Sequence, residues 1–212
     1  MTGAGLFLAF EGPEGAGKSS QVVHLSQHLR AAGFDPLVTR EPGGSAAGER
    51  IRDVLLDPAL DLEPLGELLL YAAARAQHVA ECIAPALDAG RLVLTDRFSG
   101  ATVAYQGHGR ELDLRFVEEL NARVTRGLRP DLTLLLDIDP ELGLARVAAR
   151  GAADRLERAD LAFHQRVRHG FLAQAEADPE RWRVVAAARD AERVAADVWA
   201  TVAPLLEAWR SA

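Results

Sequence analysis

Cysteine, lysine and asparagine each occur once in this chain, as Cys82, Lys18 and Asn121. A single thiol excludes an internal disulfide and a thiolate zinc cluster, and it suits a reducing compartment. Apolar residues never run together for the roughly 18 positions that a membrane-spanning helix needs. Met1 to Phe10 carry no basic segment of the kind that opens a signal peptide. The expectation is a soluble, cytoplasmic protein with no membrane partner. Positive charge is also in deficit, since 24 basic residues face 31 acidic ones and leave a net charge of −7. That balance argues against a broad nucleic-acid surface and leaves room for a small basic pocket. What is present is 212 residues, 49% of them apolar, enough for one sizeable core and short for two. The whole of 1–212 is read as one domain.

All the basic residues except Lys18 are arginine. A GC-rich coding bias accounts for the arginines and for the abundant alanine, which helices tolerate well. Lys18 has then either escaped that bias or stands where a planar guanidinium will not serve, as at a tight phosphate site. Its neighbours decide between the two. Leu6-Phe7-Leu8-Ala9-Phe10 reads as a short buried strand. It runs into Glu11-Gly12-Pro13-Glu14-Gly15-Ala16-Gly17-Lys18-Ser19, in which Gly12, Gly17, Lys18 and Ser19 satisfy G-x-x-x-x-G-K-[ST]. Val22, Val23, Leu25, Ser26 and Leu29 follow at helical spacing until Gly33. Strand, glycine loop and helix together form a phosphate-binding loop. Its glycines turn successive N–H groups inward, the helix start adds positive potential, Lys18 reaches the outer phosphates and Ser19 holds a metal.

Further strands are expected at Pro36–Thr39, Arg91–Thr95, Leu132–Asp137 and Trp182–Ala187, with helices at roughly 45–56, 64–88, 113–126, 140–149, 160–177 and 190–210. This alternation predicts an α/β fold, a doubly wound five-stranded parallel sheet flanked by helices, with ligands at the carboxyl ends of the strands.

A phosphate loop serves kinases, GTPases, ATPases and passive binders alike. With one lysine and one asparagine in different places, the chain cannot hold the Asn-Lys-x-Asp loop that reads guanine. Phosphoryl transfer needs positive charge around the migrating group, yet Pro13, Glu14, Gly15 and Ala16 include no arginine. Arg146, Arg150, Arg155 and Arg158 are candidates to supply it from a lid at about 146–158, interrupted at Gly151-Ala-Ala. The same segment also reads as two helix ends with solvated arginines. Arg40 in Thr39-Arg-Glu-Pro-Gly-Gly and Arg97 in Asp96-Arg97-Phe98 fall at strand ends, where they either pair structurally or take a second phosphate. Asp96 joins Ser19 as a candidate metal ligand.

These segments, together with Tyr71-Ala-Ala-Ala-Arg75-Ala-Gln-His, Ala104-Tyr105-Gln-Gly, Arg129-Pro-Asp-Leu-Thr-Leu-Leu-Leu-Asp137, Asp154-Arg-Leu-Glu157 and Phe163-His-Gln-Arg-Val-Arg168, resemble the thymidylate kinase family in order and spacing. A loop without arginine beside an arginine-bearing lid is similar to its bacterial subtype. The resemblance implies a fold like that of P-loop nucleoside monophosphate kinases and transfer of the ATP γ-phosphoryl group to dTMP with Mg²⁺. It implies ATP binding by Gly12 to Ser19 and by Arg146 near adenine, and catalytic charge from Lys18, Arg97, Arg150 and Arg155. Glu14 would receive the sugar 3′-hydroxyl, Arg40 and Arg97 the acceptor phosphate, and Tyr71, Arg75 and Thr102 the base. Tyr105 would crowd the 2′ position. A homodimer through the apolar stretch from Leu62 to Ala89 goes with it. The chain departs from the family pattern at Tyr71, commonly phenylalanine, at Ala101, commonly serine, at Phe98, frequently tyrosine, and at Ala186-Ala187-Ala188. Another small-molecule kinase of this fold and a non-catalytic nucleotide-binding regulator remain the alternatives. His24 and His28, Cys82 and the three tryptophans are read as packing or surface residues.

Overall fold

Alternation along uncharged runs builds the centre of the molecule. In β1 (Leu6–Glu11), Leu6, Leu8 and Phe10 point to one face and Phe7 and Ala9 to the other, and every one of the six residues is buried. Burial on both faces is what a parallel strand between two helical layers requires. The structure, a computed structural model, describes residues 5–151 and 154–211. Around β1 lie β2 (Leu37–Arg40), β3 (Leu92–Asp96), β4 (Leu132–Asp137) and β5 (Trp182–Ala186), all parallel, in the order β2-β3-β1-β4-β5. The order reverses direction at β1, between β3 and β4, and there the loop leaving β1 opens a crevice at the carboxyl edge of the sheet.

The first face is covered by α1 (Lys18–Ala31) through Val22, Leu25 and Leu29, and by α9 (Ala191–Ser211) through Val194, Val198, Val202 and Leu206. Trp199 and Trp209 pack on the same core, and the His28 ring lies 5.5 Å from that of Trp199. The second face receives Val79, Ile83, Ala86 and Phe98, and Tyr105, Phe163, Val167 and Phe171 close its far side.

The remaining helices are α2 (Ala46–Leu56), α3 (Pro64–His78), α4 (Ala84–Asp88), α5 (Ser99–Thr102), α6 (Leu114–Val124), α7 (Pro140–Arg150) and α8 (Leu161–Ala177). α3 and α4 form one continuous rod through a π-helical turn, Val79–Ile83. α5 likewise runs on as a π-helical segment, Val103–Gly109. The expected strands and six of the expected helical stretches recur within one or two residues, but the helix over 99–109 is an addition. Cys82 is half-buried, with its thiol donating to Gly44 O at 2.7 Å. Of the expected lid, α7 ends at Arg150 and a turn follows from Asp154, while Ala152 and Ala153 lie outside the described residues. No helix among the described residues is long and apolar enough to cross a membrane.

Candidate active site

The loop from β1 to α1 needs three glycines with positive φ, Gly12 at 146°, Gly15 at 71° and Gly17 at 85°. Gly12 also lies so close to Leu136 O, and Gly15 to Gly143 O, that no side chain fits at either position. Gly17 precedes the first helical turn, whose free N–H groups point into the crevice. Lys18 folds back over the loop, and its Nζ donates to Gly12 O at 3.0 Å and Pro13 O at 2.8 Å. Burial, with Arg97 adding repulsion, pushes its ammonium down to about 8. Ser19 Oγ donates to Asp96 Oδ2 at 2.6 Å, which joins the start of α1 to the end of β3.

One cleft gathers Glu14, Gly15, Gly17, Lys18, Ser19, Arg40, Tyr71, Asp96, Arg97, Thr102, Tyr105 and Arg150 of the residues singled out from sequence. Arg97 holds a φ of 73°, strained for a side chain of its size, and its N–H donates to Phe10 O at 2.9 Å. That backbone turn aims its guanidinium at the loop. Nη2 donates to Glu14 Oε1 at 2.6 Å and to Tyr105 Oη at 3.1 Å, and Nη1 to Gly12 O at 3.2 Å. Tyr105 Oη donates to the same Glu14 oxygen at 2.7 Å. Burial alone would raise the Glu14 carboxyl, but Arg97 and Lys18 overcome it and hold the group ionised, at about 2. The Tyr71 phenol, pushed upward by burial, stays neutral.

Gly12, Pro13 and Ala16 belong to the loop without lining the cleft, and three arginines expected at the substrates, Arg75, Arg146 and Arg155, stand elsewhere. Arg75 lies behind the wall, 2% exposed, with Nε on Glu41 at 2.7 Å, Nη1 on Thr102 Oγ1 at 2.8 Å and Asn121 Oδ1 at 2.9 Å, and Nη2 on Phe98 O at 3.1 Å. It therefore fixes the hydroxyl of Thr102, a residue of the cleft wall. Arg146 bridges Ala187 O at 3.0 Å and Gly15 O at 3.4 Å, between the loop and the end of β5. Arg155, expected beside the phosphates, is turned away from the cleft onto Glu67 and Leu55 O. The buried charge of Glu67 holds it there.

Sequence reasoning passed over other cleft residues. Arg52 on α2 reaches the cleft while donating to Pro42 O at 2.9 Å, and Gln106 reaches it from the π-helical segment. Glu41 anchors Arg75 and accepts from His78 Nδ1 at 3.0 Å. Glu157 was visible as a motif but not as a device. Asp154 Oδ1 accepts the Glu157 N–H at 3.0 Å and Glu157 Oε2 accepts the Asp154 N–H at 2.9 Å, a capping box, while Glu157 Oε1 takes Arg150 Nη2 at 2.5 Å.

A family model of thymidylate kinase matches residues 10–198. The chain belongs to the thymidylate kinase family. A curated relative named thymidylate kinase from Deinococcus radiodurans is 55% identical over 198 residues, 93% of this chain and 96% of the relative. Another, from Synechococcus, is 51% identical over 203 residues, 95% of this chain and 96% of the relative. A crystal structure of thymidylate kinase from Ehrlichia chaffeensis superposes with a TM-score of 0.77 at 32% identity, covering 94% of this chain and 99% of that one. The loop with Lys18 and Ser19 and a wall that carries Tyr71, Thr102, Tyr105 and Gln106 line this one cleft together with Glu14 and Arg97.

Proposed function

We propose that this chain transfers the γ-phosphoryl group of ATP to dTMP, giving dTDP and ADP. The observation that carries the reading, in a chain of this family, is the Glu14–Arg97–Tyr105 cluster standing between a phosphate loop and an aromatic-walled pocket. Ionised Glu14 accepts the 3′-hydroxyl of the acceptor sugar. Tyr105, tied to the same carboxylate, sets its ring beside the sugar, where a 2′-hydroxyl would collide. Tyr71 offers a ring face to the base and Thr102 a hydroxyl to its edge.

The cations of the cleft rest on protein acceptors: Arg97 on Glu14, Arg40 on Glu49, Arg150 on Glu157 and Lys18 on carbonyls. Phosphate groups exchange these contacts for stronger charge-assisted ones, so substrate binding itself assembles the catalytic charge. The acceptor phosphate oxygen is already a nucleophile near neutral pH. Lys18, Arg97 and Arg150 then need only align the phosphates and offset the charge that spreads over the transferred group. Arg146, held between Gly15 O and Ala187 O, would stack near the adenine ring.

The cation reads as Mg²⁺, because Ser19 Oγ and Asp96 Oδ2 are hard oxygen donors side by side at the loop. Bound there, Mg²⁺ would neutralise phosphate charge and hold the donor phosphates in register. The leucines exposed along α3 support a homodimer, and the acidic balance with one free thiol supports a cytoplasmic protein without nucleic-acid partners.

The test is a coupled ADP-release assay with ATP, Mg²⁺ and a panel of dTMP, dUMP, UMP, CMP, AMP and GMP. Fast turnover on dTMP that falls by about 10³-fold or more in Lys18→Ala is expected, since a buried phosphate-binding cation is removed. Turnover on another monophosphate alone would overturn the acceptor assignment. ATP binding without turnover on any acceptor would make the chain a nucleotide-binding regulator.

A further inference from the structure

Glu67 is completely buried on α3, one helical turn before Tyr71, and both of its oxygens are committed. Oε1 accepts from Gln106 Nε2 at 2.7 Å and Arg110 Nε at 3.3 Å, and Oε2 from Arg110 Nη2 at 3.0 Å and Arg155 Nη1 at 2.5 Å. Two guanidiniums on one enclosed carboxylate is more positive charge than an ion pair needs, and Arg155 Nη2 is buried there without an acceptor among the described residues. Arg155 Nε meanwhile donates to Leu55 O at 3.0 Å, near the end of α2. Four pieces of chain therefore meet at one anion: α3, the end of α2, the π-helical segment and the turn that starts at Asp154. Three of them carry cleft residues beside the contact, namely Tyr71, Gln106 and Leu56, and the turn carries Leu156 and Glu157.

We propose that Glu67 is a positioning residue for the acceptor pocket, and that Arg155 is the anchor by which the lid turn is fastened to it rather than a charge on the transferred phosphoryl group. The proposal rests on the phosphotransferase reading and adds a division of labour among the lid arginines. Arg150, whose side chain is 67% exposed and lines the cleft, is free to exchange Glu157 for a phosphate. Arg155 would have to abandon an enclosed carboxylate and a backbone carbonyl to do the same, and would leave Glu67 with one cation in place of two. The fastening places the base wall and the turn below Arg150 in one fixed relation, so its loss is felt first by the acceptor.

The decisive variant is Arg155→Met, which keeps the Glu67–Arg110 pair and so keeps the fold. It is expected to raise KM for dTMP about tenfold while kcat and KM for ATP stay within about threefold, the signature of lost acceptor positioning. Glu67→Gln, which weakens the Arg110 contact as well as the Arg155 one, should raise KM for dTMP at least as far. A fall in kcat of about 100-fold at unchanged KM for dTMP would put Arg155 on the phosphoryl group and overturn the proposal. Unchanged kinetics would overturn it as well. Wild-type protein inactive on dTMP would instead sink the phosphotransferase reading. The anchor is then read by trypsin cleavage after Arg150 and Arg158, which should be faster in Arg155→Met. An equal cleavage rate would reject it.

Discussion

Lys18 makes no ion pair among the described residues; its ammonium donates to two loop carbonyls, and the charges of Glu14, Asp96 and Glu11 stabilise it from farther off. Burial, and then Arg97, brings it down to about 8. In the free protein it therefore loses its proton as pH rises through about 8, whereas bound phosphates would restore the charge. ATP affinity measured by titration calorimetry should be level below that pH and fall above it, approaching tenfold per pH unit. Affinity level to pH 10 would show that the ammonium is stabilised by something other than these contacts. Glu11 behaves in the opposite sense. Its Oε1 caps the start of α5 by accepting from Phe98 N and Ala101 N at 2.9 Å each, but Oε2 is buried without a partner among the described residues, and burial raises the group from 4.5 to about 7. A carboxyl raised on folding contributes stability that is whole below about 4.5 and lost as pH rises through about 7. Glu11→Gln should match the wild type near pH 5 and exceed it near pH 8 by on the order of 3 kcal/mol in urea unfolding. An identical pH dependence in the two proteins would rule out ionisation of Glu11 in the fold.

At the level of elements, the strands were readable because each is an uninterrupted apolar run that must be buried on both faces. The helix over 99–109 was not. Gly100, Gly107 and Gly109 dilute any stripe, and bonds that close over five residues rather than four do not produce the 3.6-residue period. What makes it helical is tertiary: the Glu11 cap, and α8 packed along it through Phe163 and Val167. The π-helical turn before α4 has a local cause instead. Pro85 has no N–H to give, and the Ala84 N–H reaches back to Val79 O. The site divides in the same way. The loop motif names its own glycines, but not Gly143, far along the chain on α7, where a Cβ would press on Glu14 O. Which arginine reaches the cleft was equally hidden, since Arg52 and Arg155 are both plausible phosphate ligands until the buried Glu67 claims one of them. Gly143 has an ordinary helical backbone, so Gly143→Ala tests the contact alone. It should cost about 1–3 kcal/mol in chemical unfolding, as overpacked sites do, and raise KM for ATP more than KM for dTMP. A variant of full stability would mean that α7 can back away from the loop without loss.

For the molecule as a whole, the acidic surface and the cationic cleft are parts of one design: net charge is −7 while Lys18, Arg40, Arg52, Arg97 and Arg150 face a single crevice. The surface also leaves a face that water does not suit. Leu65 and Leu69, one turn apart on α3, are 48% and 49% exposed, and Phe116 on the adjacent α6 is 45% exposed. α3 and α6 are held together beneath them by Leu68 and Val117, so these side chains sit on a rigid pair of helices. The other side of α3 carries Glu67 and Tyr71, which makes the exposed side the back of the acceptor wall. A two-fold contact through this face would remove the leucines from water and brace that wall against the partner's, with about 800 Å² covered per chain expected for a stable dimer. Sedimentation velocity at micromolar concentration should give twice the chain mass. Leu69→Glu combined with Phe116→Glu should give a monomer that still binds ATP but needs several-fold more dTMP, because the wall loses its support and the phosphate loop does not. Wild-type protein that sediments as a monomer would leave the apolar face unexplained and remove the link between assembly and acceptor binding.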